Sequence, residues 1–214
     1  MNKITQAKIL VALTIFCAAF SINATAQQQR KVNPSEVNET LIGDIVADAV
    51  RASLGADAAL INAGMLSAPE PPEAFTEKNV DSSLAFPGDI VVLIKLKGGD
   101  LVEALEKSVS ALPRRSSGFL QVSGITFTAD LNKKSGSRVS NVRVAGSAID
   151  NDTVYTIAVT DFLVSGYPSL KNGKIVEDSE ITIREAVLRN AVVPKSGKMS
   201  AGSRIQLIQP KTEK

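Results

Sequence analysis

Apolar positions in "LIGDIVADAVRASL" return at three- and four-residue intervals, so Leu41, Ile42, Ile45, Val46, Ala49, Val50 and Leu54 share one helical face. The spacing predicts an amphipathic helix closed by Gly55 as a left-handed cap. The next apolar stretch, "ADAALIN", is too short for a helix and runs into a glycine-containing loop, "AGMLSA", which predicts a buried strand and a loop at its end. From Ser67 to Pro87 the periodicity lapses. Four of the nine prolines, Pro69, Pro71, Pro72 and Pro87, punctuate a loop with room for one helical turn. A linker between two domains is the alternative, but the segments on either side read as parts of one core, so an internal loop is expected.

The unbroken run Ile90 to Leu96 predicts a buried strand, Gly98-Gly99 a tight turn, and Asp100 an N-cap for a helix with Leu101, Ala104, Leu105 and Val109 on its apolar stripe. Beyond "PRRSSG" the period changes to two. "FLQVSGITFTADL" alternates Ile125, Phe127 and Ala129 against Thr126 and Thr128, and "RVSNVRVAG" and "DTVYTIAVTDFLVSG" predict further strands, with "KSGSR" and "DND" as turns. "SEITIREAVLRNAV" predicts a helix capped by Ser179 and apolar at Ile181, Ile183, Ala186, Val187 and Ala191. "RIQLIQ" predicts a last strand before a charged tail, 209–214. Helices and strands mix without strict alternation around a central run of strands. The expected fold is therefore α+β, with helices packed on the outer faces of sheet, and no internal repeat is visible.

The first 26 residues change the picture. Lys3 and Lys8 precede an apolar run from Ile9 to Phe20 and end at Ala24-Thr25-Ala26, the pattern of a cleaved secretory signal peptide. An N-terminal membrane anchor is the alternative, but that run is far shorter than the roughly 20 residues a spanning helix needs. Export, to a periplasm or the medium, is expected. A polar lead-in, 27–37, reads as disordered, and 38–208 as one domain. Cys17 is the sole cysteine and lies within the leader, behind a bulky Phe16 that disfavours lipoprotein processing. Without Lys3 and Lys8 the 24 basic residues become 22, against 22 acidic, so the mature chain is near neutral and no basic, aromatic-rich face points to nucleic acid. Histidine is absent. That removes nucleophile–histidine arrangements, usual zinc sites and histidine-ligated dinuclear metal centres, and no spaced Asp/Asn/Gly calcium loop is present.

Four segments, in order, carry a resemblance to the C-terminal domain of the 5′-nucleotidase family, the substrate-binding half of exported two-domain metallophosphatases. "ETLIGDIVADAVR" resembles its opening helix, and "DAALINAGMLSA" its strand and glycine loop, usually written Asn-Gly-Gly-Gly-Ile-Arg. "FPGDIVVLIKLKGGDLVEALEKSV" is similar to its strand, glycine turn and helix, and "GFLQVSGITFTADLNKKSGSRV" with "YTIAVTDFLVSG" to its central strands. The likeness runs from about Glu39 to Gly202. It implies an α/β/β/α layered fold that stacks a nucleobase between two aromatic rings, matched here by Phe86 and Phe162. It also implies ligand roles for Asn62 and Gly64 in the glycine loop and for Gly124 in the Ser-Gly turn. Catalytic metals belong in the family to a separate N-terminal domain, so no catalytic residue, metal ligand or cofactor is expected in this chain.

The chain departs from the family at charged positions. The loop arginine that meets phosphate is Ser67, the arginine before the opening helix falls at Asn38, and the ribose-holding aspartate falls at Pro168. Charge-assisted contacts are lost with them. The residues also admit plainer readings. Phe86 and Phe162 can be core, Asn62 and Gly64 can shape a turn, and Arg114 and Arg115 can face solvent or meet a phosphate. Asp44 and Asp48, four apart, suit capping or a solvated face better than acid/base work. The expected function is an exported, stand-alone nucleoside- or nucleotide-binding half that complements a separately encoded metallophosphatase domain, with neither nucleic acid nor membrane as partner. A non-catalytic nucleoside-binding module and a degenerate protein-interaction scaffold are the alternatives.

Overall fold

The computed structural model describes residues 33–194 and 204–210; the leader, the first part of the lead-in and the end of the tail lie outside them. Helix α1 (Leu41–Leu54) forms where the stripe predicts it. Thr40 caps it by accepting from the Gly43 N–H, and Gly55, at φ 60°, ends it. Strand β1 (Ala58–Asn62) follows, then a single 3-10 turn, Ala63–Met65, and a short helix α2 (Val80–Ser83) inside the proline-rich loop.

Strand β2 (Ile90–Lys97) passes directly into helix α3 (Gly98–Val109), with no intervening turn and with Lys97, not Asp100, at the N-cap. The two glycines are there for close approach. Gly98 and Gly99 donate to the carbonyls of Thr153 and Asn151, and a Cβ on Gly98 would overlap the Asp150 carbonyl. Orphan N–H groups of the first turn are thus satisfied by a neighbouring loop.

Strands β3 (Leu120–Ser123), β4 (Ile125–Asp130), β5 (Val139–Val144), β6 (Ser147–Ala148) and β7 (Val154–Thr160) come next. "DFLVSG" then departs from the strand expected of it and forms helix α4 (Asp161–Gly166), because the Thr160 hydroxyl caps it by accepting from the Leu163 N–H. Strand β8 (Lys174–Thr182) has no counterpart in the sequence reading. It extends to Thr182, so helix α5 (Ile183–Asn190) starts later than Ser179, with Thr182 and Glu185 closing a reciprocal capping box. Strand β9 (Ile205–Ile208) ends the described chain.

These strands make two sheets, ordered β3-β1-β7-β2-β8 and β6-β5-β4-β9. Alternation assigns the faces. Ala59, Ile61, Val91 and Ala158 join α1 and α5 in one core, while Ala58, Leu60, Val92, Ile94, Leu96, Ile157 and Val159 join α3 and the second sheet in the other. The central strands are buried on both faces, which is why β2 reads as a continuous apolar run. In β4 the buried Ile125, Phe127 and Ala129 alternate with threonines, so that sheet offers the core one face. The α+β expectation holds, and the sheets are mixed.

The lead-in was expected to be disordered through residue 37, but from Asn33 it is ordered. Asn33 caps a 3-10 turn, Pro34–Glu36, and donates through Nδ2 to the Leu66 carbonyl. Gln121, fully buried on β3, holds the segment from below: its Oε1 accepts from the Thr40 N–H at 2.9 Å, and its Nε2 donates to the carbonyls of Ser35 and Asn38. Buried backbone groups need such partners, which composition alone does not reveal.

A second fastening joins α1 to β9. Glu39 accepts from the Arg204 and Ile205 N–H groups, and the Arg204 guanidinium grips Asp48 with both terminal nitrogens, at 3.0 and 2.8 Å. It also lies 3.6 Å from Asp44 and donates to the Val122 carbonyl. Asp44 and Asp48 therefore serve structure, as their position beside the buried stripe suggests.

Replacing Gln121 with alanine strands one buried N–H and two carbonyls. Gln121→Ala is expected to lower the unfolding free energy by about 2–4 kcal/mol in urea titration, with the far-ultraviolet spectrum retained.

Candidate functional site

Phe86 and Phe162 are separated by 76 positions in sequence, and the sheet brings them together. β2 and β7 pair antiparallel with Val91 opposite Thr160, so the residues just before β2 and just after β7 emerge at the same sheet end. Phe86 opens a turn closed by the Asp89 N–H donating to its carbonyl. Phe162 is the second residue of α4, whose buried Leu163 fixes the helix on the core and leaves the phenylalanine outside. The ring centroids are 6.4 Å apart with 25° between planes. With 56% and 58% of their surface exposed, the two rings are not core residues. Two large apolar side chains facing each other in water form an exposed apolar patch that folding does not require.

The glycine loop at the end of β1 lies at this same sheet end, since β1 runs parallel to β7. It is tied to the Phe86 segment by a bridge between Leu66 and Leu84 and by the Ala85 N–H donating to the Met65 carbonyl. Asn62 Nδ2 and the Gly64 N–H both donate to the Ser117 carbonyl, and a Cβ on Gly64 would crowd Ser117 at 3.1 Å. The Tyr167 hydroxyl, pushed upward in pKa by burial, donates to the Gly118 carbonyl and links the end of α4 to the same loop. Segments 62–66, 84–89, 116–119 and 161–167 thus form one connected rim. Asn62 and Gly64 are both part of it.

Gly124 is not. β3 runs antiparallel to β1 with Ala59 opposite Ser123, so Gly124 falls beside Asp57 at the other end of the strand, about 13 Å of strand length from Asn62. Its φ of +71° and the close Asp57 carbonyl make it a glycine required by the backbone. Arg115 is likewise engaged, pairing with Glu36 at 2.7 Å.

Sequence reasoning passed over Asp89 and Asp161, which flank the rings. The Asp89 carboxyl is held above the ordinary aspartate range, first by burial and then by the negative charge of Asp161. Its Oδ2 is buried and, among the described residues, has no hydrogen-bond partner. Asp161 accepts from the Phe162 N–H at 2.7 Å. The signal was adjacency: each aspartate stands within three residues of a ring in "FPGD" and "DF".

Among the described residues no group of three or more His, Cys, Asp or Glu is placed to hold a metal ion, and the whole chain lacks histidine. These residues do not fit a dinuclear centre of Asp, His and Asn. Among the same residues no helix is long and apolar enough to cross a membrane.

The chain has counterparts among known proteins. The model of the 5′-nucleotidase C-terminal domain family matches residues 18–171, and the chain belongs to that family. The match begins and ends earlier than the likeness read from the segments. A trifunctional nucleotide phosphoesterase, YfkN of Bacillus subtilis, is 31% identical over 137 residues, covering 60% of this chain and 9% of that protein. Bovine 5′-nucleotidase is 33% identical over 115 residues, 49% of this chain and 20% of the relative. The crystal structure of a 5′-nucleotidase precursor from Thermus thermophilus superposes with a TM-score of 0.70 at 25% identity, over 91% of this chain and 43% of that one. The chain therefore spans less than half the length of these relatives.

Two outcomes follow from the geometry. Gly124→Ala, which forces a Cβ onto a left-handed backbone against the Asp57 carbonyl, is expected to cost about 2–4 kcal/mol of stability in denaturant titration. Asp89 ionises less readily folded than unfolded, so its contribution favours folding below the unfolded pKa and is lost as pH rises through the folded one. Asp89→Asn should accordingly melt at a higher temperature than wild type at pH 7, and the difference should shrink below about pH 4.

Proposed function

We propose that this chain is the nucleoside-binding half of an exported 5′-nucleotidase, holding a base between Phe86 and Phe162 while a metallophosphatase domain on another chain supplies the hydrolytic metal centre. The observation that carries the reading is the facing pair of exposed rings 6.4 Å apart. A flat ring needs contact of about 3.5 Å on each face, or about 7 Å between the clamping rings, so the pair must open by roughly half an ångström. Stacking of this kind contributes about 1–3 kcal/mol per base and accepts any base, since each has a π face. Asn62 and Gly64 would bound the ligand from the glycine loop; Gly124 has no part in it.

Hydrolysis of a phosphate ester needs an activated water and stabilisation of the developing charge. A chain without histidine, and with one cysteine located in its leader, supports placing that machinery elsewhere. Export rests on the Lys3/Lys8, apolar-run and Ala24-Thr25-Ala26 pattern. A second reading, a nucleoside-binding module with no catalytic partner, is favoured by Ser67, Asn38 and Pro168, which stand where the resemblance would place charged ligand contacts.

Calorimetric titration with adenosine and AMP checks the binding claim: both should bind, and Phe162→Ala should reduce affinity by about tenfold or more while the exposed position leaves folding intact. The purified chain should not release phosphate from AMP with magnesium, manganese or zinc. Phosphate release by the chain alone would overturn the half-enzyme reading. Addition of an exported metallophosphatase domain that lacks its own C-terminal half separates the two readings, by gain of AMP hydrolysis or none.

A further inference from the structure

The ring pair is bordered by negative charge. Asp89 closes the turn that Phe86 opens, Asp161 accepts from the Phe162 N–H, and the pairing of Val91 with Thr160 brings the two aspartates to one sheet end on neighbouring strands. A carboxylate pair raises the free energy of both ionised groups unless a positive charge comes between them. The helix packed against this turn supplies none that is uncommitted. Helix α5 abuts this turn through the Ile183 N–H, which donates to the Asp89 carbonyl, and it brings Arg184 and Glu185. The Arg184 guanidinium is occupied by Glu77 and Asp81, and the Glu185 carboxylate by the Thr182 cap.

Phenylalanine faces are themselves negative. Two such faces presented to one slot attract a cation lying between them, as in aromatic cages for quaternary ammonium groups. A carboxylate edge beside the slot adds to this attraction, and it disfavours a phosphate placed at the same edge.

We propose that Asp89 and Asp161 are specificity-determining residues that turn the Phe86/Phe162 slot toward flat heteroaromatic rings carrying positive charge, such as N-alkylated purine nucleosides or pyridinium compounds. This rests on the nucleoside-binding reading above and narrows it. The rings provide stacking that any base can use; the carboxylates choose among bases by charge. Because the charges are partly exposed, the preference weakens as salt is raised.

The test uses the whole chain and two pairs of probes matched in shape: 1-methyladenosine, cationic at neutral pH, against adenosine, and 1-methylnicotinamide against nicotinamide. N6-methyladenosine, which adds the methyl group without the charge, controls for size. Calorimetry at low salt should give each cation an affinity about fivefold or more above its neutral counterpart. The preference, read as the ratio of cationic to neutral affinity, should fall to near parity in Asp89→Asn/Asp161→Asn, and Phe162→Ala should weaken every probe. If adenosine binds through Phe162 as well as or better than 1-methyladenosine, the charge selection is overturned and the nucleoside-binding reading stands. A cation preference that survives in the double variant also overturns the assignment to these aspartates. If no probe binds, both readings fall together.

Discussion

Antiparallel pairing of β2 with β7 decides where the site can be. Seven consecutive residue pairs, from Val91 opposite Thr160 to Lys97 opposite Val154, fix the register, and a one-residue slip would turn every side chain to the other face. At the end nearer the site both faces of this pair are buried, so the hydrophobic core enforces the register there from two sides at once. The proximity of Phe86 and Phe162 is a by-product of that enforcement. Neither ring contributes much to the core, yet the core sets the distance between them.

The rim shows how such a site is held without being buried. Asn62, Gly64 and Tyr167 all direct their hydrogen bonds to the loop containing Ser117 and Gly118, and the Leu66–Leu84 bridge joins the remaining segment, 84–89, to the glycine loop. Backbone groups at the ends of four segments are thereby satisfied by one another instead of by water. The phenylalanine rings stand on this frame with more than half of their surface exposed.

Much of this was legible in the sequence, for reasons that differ by element. α1 announces itself through a full apolar stripe and Gly55, and β2 through a run too apolar for any exposed strand. "DFLVSG" misled because its apolar content continues that of β7, while the event that ends the strand is a single hydrogen bond from the Leu163 N–H to the Thr160 hydroxyl. β8 was missed because it is an edge strand whose polar residues blur the alternation. Phe86 and Phe162 were found through family likeness, and composition could not have distinguished them from core. Gly124 came with the same likeness, but its requirement is local to the backbone. Asp89 and Asp161 needed three dimensions, since the influence of one on the other depends on the β2–β7 register.

The arginine fastening at the far end has a separate consequence. β9 lies parallel to β4, from Phe127 opposite Ile205 to Asp130 opposite Ile208, and thereby covers what would be an open sheet margin. Among the described residues its attachment to α1 runs through the Arg204 side chain, and its attachment to the residues just before α1 through the Glu39 carboxylate. Loosening that clasp would bare a ladder of unpaired amides on β4 next to apolar residues, a template onto which a strand from another molecule can add. A contact that looks merely stabilising therefore also keeps β4 an interior strand of its sheet.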